Sequence, residues 1–445
     1  MKKVKIIHLG IGKVGKTLVD QILKNKEVIR RTLGIYLIYS GLFNSKGGIF
    51  SDSGIDIRDV TKFPGNAVIV DYDKVISFLD ENYIIVDTTA SSETYGFLDL
   101  ALKKSCYVAV SNKKPLCGNF NHFKRLVQKS ERRFFYETTV GAGLPVIRTL
   151  MDLILTGDKI VQIQGCFSGT LGYIFSEIER GIAFSEAVKK AYELGYTEPD
   201  PRDDLSGLDV ARKALILVRT MGRKTHLDEI KLTSLYPKQM EKLSVNDFFE
   251  SLKNLDPVFQ KRTVSAGKKG KTLRYVVTMD SESCRVGIEE VEKSSNLGSL
   301  KGPDNLIVFK TERYLANPLI IKGPGAGIGV TAAGVFADIL EAAKRELLEE
   351  SGYEATEFVL WDAQHPTSKI DWVVYTFIAK GLKKVSDMNL DAGEKINLKL
   401  VNLDEFIEIA INKNFVEKEI IPKLYEAKLH PEKKEELKKL FNPKF

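Results

Sequence analysis

Cysteine, histidine and tryptophan are scarce in this chain of 445 residues. It has four cysteines, five histidines and two tryptophans. The cysteines form no Cys-x-x-Cys pair, and the histidines are isolated from one another. We therefore expect neither a zinc site nor a disulfide framework, and we expect a reducing, cytoplasmic location.

Long apolar runs are also missing. No stretch approaches the roughly 20 apolar residues that cross a bilayer, so no membrane partner is expected. The first residues, MKKVKIIHLGIG, have a basic tip, but glycines soon interrupt their apolar run. This pattern is typical of a first β-strand and not of a signal peptide.

Charge is abundant but evenly distributed. Lys and Arg number 66 and Asp and Glu number 59, which gives a net charge of +7. The basic residues alternate with acids and form no arginine-rich arm, so we expect small phosphorylated molecules and not nucleic acid as ligands. The length and the 43% hydrophobic content suit two or three domains.

A glycine-rich turn follows the first apolar segment. The strand predicted from Val4 to Leu9 leads into GIGKVG and then into a predicted helix from Lys16 to Lys24. Glycines in this Gly-x-Gly-x-x-Gly pattern let the backbone turn tightly and approach a pyrophosphate at the helix amino terminus. The residues expected to border a dinucleotide here are Gly10, Ile11, Gly12, Lys13, Val14 and Gly15.

Further apolar segments recur at the spacing of a doubly wound α/β fold. The predicted strands are residues 35–39, 67–70, 83–87 and 107–110. A strictly NAD-selective site usually has an acid after its second strand, and none occurs from Tyr36 to Ser51. Ser45 and Lys46 are suited to a 2′-phosphate. The sequence therefore favours NADP(H) as the cofactor, and NAD(H) is the alternative.

Two polar stretches stand out as candidates for chemistry. Lys113 lies in VSNKKPL, at the end of a predicted strand, where ligands of doubly wound folds bind. The second stretch is an acidic loop followed by a helix predicted from Leu208 to about Thr220. Asp209 and Lys213 are four residues apart on that largely apolar helix and can pair. A buried Asp–Lys pair beside a loop of carboxylates favours function over scaffold.

Six sequence blocks resemble, in order, those of the homoserine dehydrogenase family over residues 1 to about 340. They are VDTTAS at 86–91, SNKK at 111–114, YETTVGAGLP at 136–145, GTLGYI at 169–174, EPDPRDDLSGLDVARK at 198–213 and LIIKGPGAG at 319–327. Gly172 replaces the asparagine that is usual in the fourth block. The resemblance implies reversible NAD(P)H-dependent reduction of L-aspartate 4-semialdehyde to L-homoserine, in threonine and methionine biosynthesis.

The resemblance also implies roles for individual residues. Lys213 would exchange a proton with the substrate oxygen, helped by Lys113 and oriented by Asp209. Glu198 and Asp204 would bind the substrate ammonium group. Thr89, Lys113 and Gly327 would contact the cofactor. A monovalent metal, sodium in this family, would be bound by Glu137 and by the backbones of Val140, Ala142 and Leu144, and would order a homodimer.

The segment RELLEESGY, at 345–353, resembles the second half of a Nudix hydrolase box. Glu346, Glu349 and Glu350 fall on one helical face and are candidate Mg²⁺ ligands. The first half of the box is missing, because Thr331 and Ala337 occupy its glycine and glutamate positions. We therefore expect a truncated, inactive Nudix-like segment, with Mg²⁺-dependent nucleoside-diphosphate hydrolysis as the alternative.

These patterns together predict an α/β chain with four parts. The first is a Rossmann-type, doubly wound nucleotide domain, residues 1–135 with a return segment 315–341. An α+β catalytic and dimerisation domain, 136–314, follows. The partial Nudix-like α/β extension spans 342–430, and a charged, solvated helical tail spans 431–445.

Overall fold

Two six-stranded sheets organise the chain. A computed structural model describes residues 2–68, 70–351, 353–354, 357–364, 374–380, 382–385, 399–412, 415 and 420–441. In the part of the chain so described, no helix is both long and apolar enough to span a membrane.

The first sheet has the strand order β3-β2-β1-β4-β5-β6. Its strands are β1 Lys2–Leu9, β2 Ile35–Asn44, β3 Gly47–Phe50, β4 Tyr83–Asp87, β5 Tyr107–Val110 and β6 Phe134–Phe135. All neighbours are parallel except β2 and β3, which form an antiparallel hairpin. The accompanying helices are α1 Lys13–Leu33, α2 Ile57–Lys62, α3 Tyr72–Ser77, α4 Tyr95–Lys103, α5 Lys114–Cys117 and α6 Phe120–Phe123.

Alternate residues of the central strands enter two different cores, because side chains of a strand point to opposite faces. Ile6 and Val86 pack on the α1 face. Ile7 and Ile85 join a larger core that continues into the second sheet. Every residue of β4 and β5 is buried. This burial on both faces confirms the predicted doubly wound architecture.

One predicted strand is wrong. Among the described residues of the segment expected at 67–70, which are 67, 68 and 70, pairing is limited to an isolated bridge between Val68 and Gly48. The short β3, which the pattern did not predict, occupies the edge beside β2 instead. Because β3 follows β2 by a tight turn, it pairs along β2 and leaves the later segment outside β3.

The second sheet has the order β12-β11-β7-β9-β10-β8 and is antiparallel except at the β10–β8 pair. Its strands are β7 Ile160–Cys166, β8 Lys231–Leu232, β9 Lys271–Met279, β10 Cys284–Glu292, β11 Asp304–Thr311 and β12 Leu319–Pro324. The helices of this region are α7 Thr138–Gly141, α8 Val146–Leu155, α9 Gly169–Glu179, α10 Phe184–Glu193, α11 Pro201–Leu205, α12 Leu208–Thr220, α13 Val245–Leu252 and α14 Asp256–Lys268.

Helix α12 has the predicted bounds and begins where the backbone can turn sharply. Gly207 has a left-handed φ of +72°, and a Cβ on it would lie 1.9 Å from the Tyr275 hydroxyl. The acidic loop before it is not wholly irregular, since α11 begins at Pro201. Proline suits the first helical position because its missing N–H has no partner there.

The chain returns to the first sheet through α15, Ile328–Ser351, which packs against α1, β4 and β5. The prediction places the start of this return segment at residue 315. In the structure β12 still pairs with β11 in the second sheet, so the return begins after Pro324. The boundary expected at 341/342 lies inside this continuous helix, and Ala342 and Ala343 belong to the core of the first sheet.

The remaining described elements form a small C-terminal region. They are β13 Tyr353–Glu354, β14 Glu357–Gln364, β15 Val374–Lys380, β16 Lys383–Lys384, α16 Leu403–Ala410, α17 Ile421–Leu429 and α18 Pro431–Phe441. The Nudix resemblance also implies Gly393-Glu394 and a strand from Leu398 to Val401. Residues 399–401 adopt no strand structure, and Gly393 and Glu394 lie outside the described residues. The predicted solvated tail is wrong in one respect, because Leu437 of α18 is buried against α16 and α17.

Candidate active site at the domain junction

The turn between β1 and α1 forms a cradle of exposed backbone. Gly10 has a φ of +87°, and a Cβ there would lie 2.6 Å from Cγ2 of Thr89. A Cβ on Gly15 would lie 2.6 Å from the Gly10 carbonyl oxygen, whereas Gly12 faces open space. The long helix α1 begins after Gly12 without an acid in its first turn. Its amino terminus therefore presents N–H groups and a positive dipole end, which fit a pyrophosphate. The other predicted loop residues are Ile11, Lys13 and Val14.

Ser45 and Lys46 occupy the exposed tip of the β2–β3 hairpin. The Phe43 carbonyl accepts a hydrogen bond from the Gly10 N–H at 2.8 Å, so the hairpin adjoins the cradle. The Asn44 side-chain oxygen accepts the Lys46 N–H at 2.8 Å and shapes the tip. The structure thus brings the predicted phosphate-binding pair to the cradle's edge.

Two residues beneath the cradle escaped sequence reasoning. Thr88 donates a hydrogen bond to the Gly10 carbonyl at 2.6 Å, and Nε2 of His8 lies 2.9 Å from the same hydroxyl. Burial lowers the pKa of His8 to about 3, so its ring is neutral. The only sequence signal was a polar residue inside an apolar strand. Gly327, predicted to contact the cofactor, lies directly before α15 with a φ of +124°.

Asn112 connects the ends of two neighbouring strands. Its side-chain amide nitrogen lies 3.0 Å from both the Asp87 carboxylate and the Thr89 hydroxyl, and 2.6 Å from the Ser91 carbonyl oxygen. Only 3% of Asn112 is exposed. The sequence marked this residue only as part of a motif. These hydrogen bonds fix the position of the backbone just before Lys113.

Lys113 and Lys213 share one carboxylate. Nζ of Lys113 lies 3.1 Å from Oδ1 of Asp209, and Nζ of Lys213 lies 2.9 Å from Oδ2. Lys213 also donates to the Phe167 carbonyl at 2.8 Å, directly after β7. The pairing expected from the i, i+4 spacing is therefore present. The cluster joins the carboxyl end of β5 to a helix of the other domain, which places it beside the nucleotide cradle.

The electrostatics of this cluster favour proton transfer. Burial lowers the pKa of Lys213, the Lys113 charge lowers it further, and Asp209 opposes both effects, with a net lowering. Burial raises the pKa of Asp209, but the two lysine charges outweigh it and keep the carboxyl ionised. An amine whose pKa is lowered towards neutrality can both give and take a proton.

Glu198 and Asp204 lie together beside this cluster. The Glu198 N–H donates to the Asp204 carboxylate at 2.8 Å, and the Glu198 side chain is exposed. Burial raises the pKa of Asp204 to about 6, and the charges of Glu198 and Asp209 add to the rise. A cationic ligand would relieve this concentration of negative charge.

Glu137 begins α7 and faces the start of α8. Its carboxylate accepts the Ile147 N–H at 2.6 Å and the Arg148 N–H at 2.8 Å. Burial raises its pKa despite those bonds. Asp338 of α15 is buried nearby with Oδ2 lacking a hydrogen-bond partner, and burial and the Glu137 charge raise its pKa. These acids fit a cation, since carboxylate oxygens retain free lone pairs. The carbonyl donors predicted to complete the site are those of Val140, Ala142 and Leu144.

The predicted Mg²⁺ ligands lie on α15. Glu346 is buried, with 2% of its surface exposed. The side chains of Glu349 and Glu350 are not among those that the structure describes. Where side chains are described, no group of three or more His, Cys, Asp or Glu residues is arranged to hold a metal.

A lysine with a lowered pKa beside a dinucleotide cradle suits proton transfer coupled to hydride transfer, which is the chemistry of NAD(P)-dependent oxidoreductases. Comparison with known proteins narrows this class. A family model described as "Homoserine dehydrogenase" matches residues 145–340, and one described as "Homoserine dehydrogenase, NAD binding domain" matches residues 10–137. The chain belongs to the homoserine dehydrogenase family.

Individual relatives agree with this assignment. Homoserine dehydrogenase of Saccharomyces cerevisiae is 37% identical over 357 residues, which cover 77% of this chain and 99% of the yeast protein. A bifunctional aspartokinase/homoserine dehydrogenase of Zea mays is 39% identical over 75% of this chain. The chain spans only 37% of the maize protein's length. A solved structure of a Candida auris protein of unknown function is 36% identical, with a TM-score of 0.71 over 78% of this chain and 99% of that one.

Proposed function

We propose that the chain interconverts L-aspartate 4-semialdehyde and L-homoserine. The observation that carries this proposal is the Lys113–Asp209–Lys213 cluster, with the acids Glu198 and Asp204 beside it. An amino-acid aldehyde needs a proton donor at its oxygen and an anionic partner for its ammonium group. The cluster supplies the first and the two acids supply the second.

When bound, NAD(P)H supplies the hydride that reduces the aldehyde carbon. As charge develops on the substrate oxygen, the Lys213 ammonium donates a proton to it; the N–H bond breaks and an O–H bond forms. Lys213 is left neutral and is reprotonated from solvent, and in the reverse direction it accepts the proton. The Phe167 carbonyl and Asp209 aim the amine, and Lys113 adds positive charge next to the same oxygen.

The test of this proposal is NADPH oxidation with aspartate 4-semialdehyde by the full chain. We expect turnover that depends on Lys213 and is lost in Lys213→Ala. If the Lys213→Ala protein is folded and turns over at the original rate, the proton-transfer assignment is wrong.

We propose NADP(H) as the preferred cofactor. The support is the hairpin tip, where Lys46 is exposed at the edge of the cradle and no acid stands between Tyr36 and Ser51. Lys46→Ala is expected to raise the KM for NADPH about tenfold and leave the KM for NADH unchanged, because only NADPH carries the 2′-phosphate. Equal effects on both cofactors would contradict the proposal.

We propose that a sodium ion binds beside Glu137. The Glu137 carboxylate and the carbonyls of Val140, Ala142 and Leu144 would hold it. The buried carboxylates of Glu137 and Asp338 support this proposal, because a cation would offset their charge. The ion would order the turn after Glu137 and take no part in the chemistry.

We propose a homodimer and no Nudix-type hydrolase activity. The second sheet ends in an edge strand, β12, whose Ile320 is 39% exposed, so an apolar edge is available to a second copy. Light scattering of the purified chain tests the dimer. The support for an inactive segment is the missing first half of the box, where Thr331 and Ala337 stand at the glycine and glutamate positions. Incubation with ADP-ribose and Mg²⁺ tests the hydrolase, and no release of AMP is expected. The cytoplasmic location stays a prediction.

A further inference from the structure

Arg219 carries a fully buried guanidinium on α12, six residues after Lys213. It donates to the Leu116 carbonyl at 2.5 Å, to the Gly118 carbonyl at 2.8 Å and to the Thr225 carbonyl at 3.0 Å. Leu116 and Gly118 belong to the segment that directly follows Lys113. Arg219 therefore connects the helix of one catalytic lysine to the backbone that carries the other.

Two aromatic rings complete the surroundings of this guanidinium. Its central carbon lies 5.7 Å from the Phe120 ring centre and 5.8 Å from the Phe123 ring centre, and Phe123 is itself buried. A planar fork with several donors matches this set of carbonyls and ring faces, which a lysine ammonium does not. A buried charge is costly. The three carbonyls and the two rings offset that cost here.

Lys113 is thus held from two sides. On the amino-terminal side, Asn112 is bonded to the cofactor domain through Asp87, Thr89 and Ser91. On the carboxyl-terminal side, Arg219 clamps the segment to α12. Asn112 thus fixes the position of Lys113 relative to the cofactor domain. Arg219 fixes its position relative to Asp209 and Lys213.

We propose that Arg219 is a positioning residue, which holds Lys113 against Asp209 so that both lysines share that carboxylate. This inference rests on the proposed dehydrogenase function. Arg219 is fully buried and its donors are taken by backbone carbonyls, so it acts on Lys113 through the segment that follows this lysine. Asn112 has the complementary task on the cofactor side.

The consequence of losing the clamp follows from the charges around Lys213. The groups that face its amine are Asp209 on the same helix, Lys113 at the start of α5 and Asp204 on α11. The Lys113 charge lowers the pKa of Lys213, whereas both carboxylates raise it. If Lys113 moves away, the carboxylates act on Lys213 alone and its pKa rises.

The experiment measures kcat for homoserine oxidation against pH in Arg219→Met and Arg219→Lys. Oxidation needs neutral Lys213, so the rate rises with pH through the pKa of that amine. Both variants are expected to move this rise to higher pH and to lower kcat about 10- to 100-fold, as misplacement of a catalytic group does. The Kd for NADPH should change less than twofold, because Asn112 still holds the cofactor side.

Arg274 offers a matched control. It is also buried, at 1% exposure, and donates to the carbonyls of Gly298 and Leu300 in the connection between β10 and β11 and to the Glu179 carboxylate at 2.6 Å, all away from Lys113. Arg274→Met is expected to lower Tm by a similar amount without moving the pH profile. An equal shift of the profile in both variants would assign Arg219 a purely structural role and overturn the proposal.

A double-mutant cycle with Lys113→Met tests whether Arg219 acts through Lys113. Arg219→Met should shift the profile no further in the Lys113→Met background, and additive shifts would overturn the inference. If the unmodified chain does not oxidise NADPH with aspartate 4-semialdehyde, the proposed function fails; if Lys213→Ala retains full activity, the proton-transfer role of Lys213 fails. If Lys213→Ala and Lys113→Met behave as expected and both Arg219 variants retain the original profile, only the positioning role fails. Should Arg219→Met not fold, Arg219→Lys, which keeps the charge and most of the volume, decides the question.

Discussion

The first 340 residues and the C-terminal extension differ in whether their charged side chains are buried. In the dehydrogenase part, Lys213, Arg219 and Arg274 are buried, and each is held by an ion pair or by several carbonyl oxygens. The core described for the extension is aliphatic and small. Its residues are Ile407, Ala410, Ile420, Leu424, Ala427 and Leu437.

The ion pairs described in the extension lie at its surface. Lys428–Glu408 joins side chains that are 41% and 63% exposed, and Lys434–Asp404 is also exposed. Such pairs contribute at most about 1 kcal/mol each. Burying a charge is costly, and among these buried groups Lys213 is the one whose ion pair belongs to the proposed catalytic cluster.

Replacing Lys213 by methionine should have the largest effect. Loss of the proton donor is expected to lower kcat by about 10²- to 10⁴-fold, the usual contribution of general acid catalysis. The measurement is steady-state NADPH oxidation. Circular dichroism of the variant confirms the fold. A loss below about threefold would remove Lys213 from the mechanism.

Replacing Asp209 by asparagine should be nearly as damaging. Asp209 raises the pKa of Lys213, so its loss lowers that pKa further. Aldehyde reduction needs protonated Lys213, and its rate falls as pH rises through that pKa. The fall is therefore expected at lower pH in Asp209→Asn, with kcat at neutral pH reduced about tenfold or more. An unchanged pH profile would contradict this coupling.

Asp204 should make substrate binding depend on pH. Its pKa is raised to about 6, so the carboxyl becomes protonated below that pH and loses its attraction for an ammonium group. The KM for homoserine is expected to increase as pH falls below 6. Asp204→Asn should have a high KM at every pH. Glu198→Gln, at the exposed neighbour, should raise KM but keep the pH dependence.

Replacing Glu137 should change the response to salt more than the chemistry. We expect sodium to raise the Tm of the original protein by several degrees over equimolar choline, because ligand binding stabilises the folded state. Glu137→Gln should abolish the difference between the two salts. A sodium response that persists in Glu137→Gln would place the ion elsewhere.

Removing the extension should have the smallest effect. Cleavage of the chain after Ser351 retains Ala342 and Ala343, which pack in the first sheet. The matched part of the chain already corresponds to 99% of the yeast enzyme. The kcat/KM of residues 1–351 is expected to stay within about twofold of the full chain. A loss of tenfold or more would show that the two regions depend on each other.

Local patterns located much of the dehydrogenase part. The strands Tyr83–Asp87 and Tyr107–Val110 and the helix Leu208–Thr220 have the bounds that the sequence predicts. Each is dominated by apolar residues of one periodicity, bounded by polar residues or glycine. The prediction of a strand at 67–70 was wrong because an apolar run does not reveal which segment occupies the edge of a sheet.

Local sequence was enough to predict the glycine turn, the strands Tyr83–Asp87 and Tyr107–Val110 and the pairing of Asp209 with Lys213, because these depend on neighbours along the chain. The tertiary structure decided the rest. Only tertiary packing brings Lys113 to the carboxylate of Asp209, which lies 96 positions further along the chain. Packing likewise brings Arg219 to the Leu116 carbonyl and Asp338 close to Glu137. Such contacts join distant segments, and nothing in the local pattern of either segment specifies its partner.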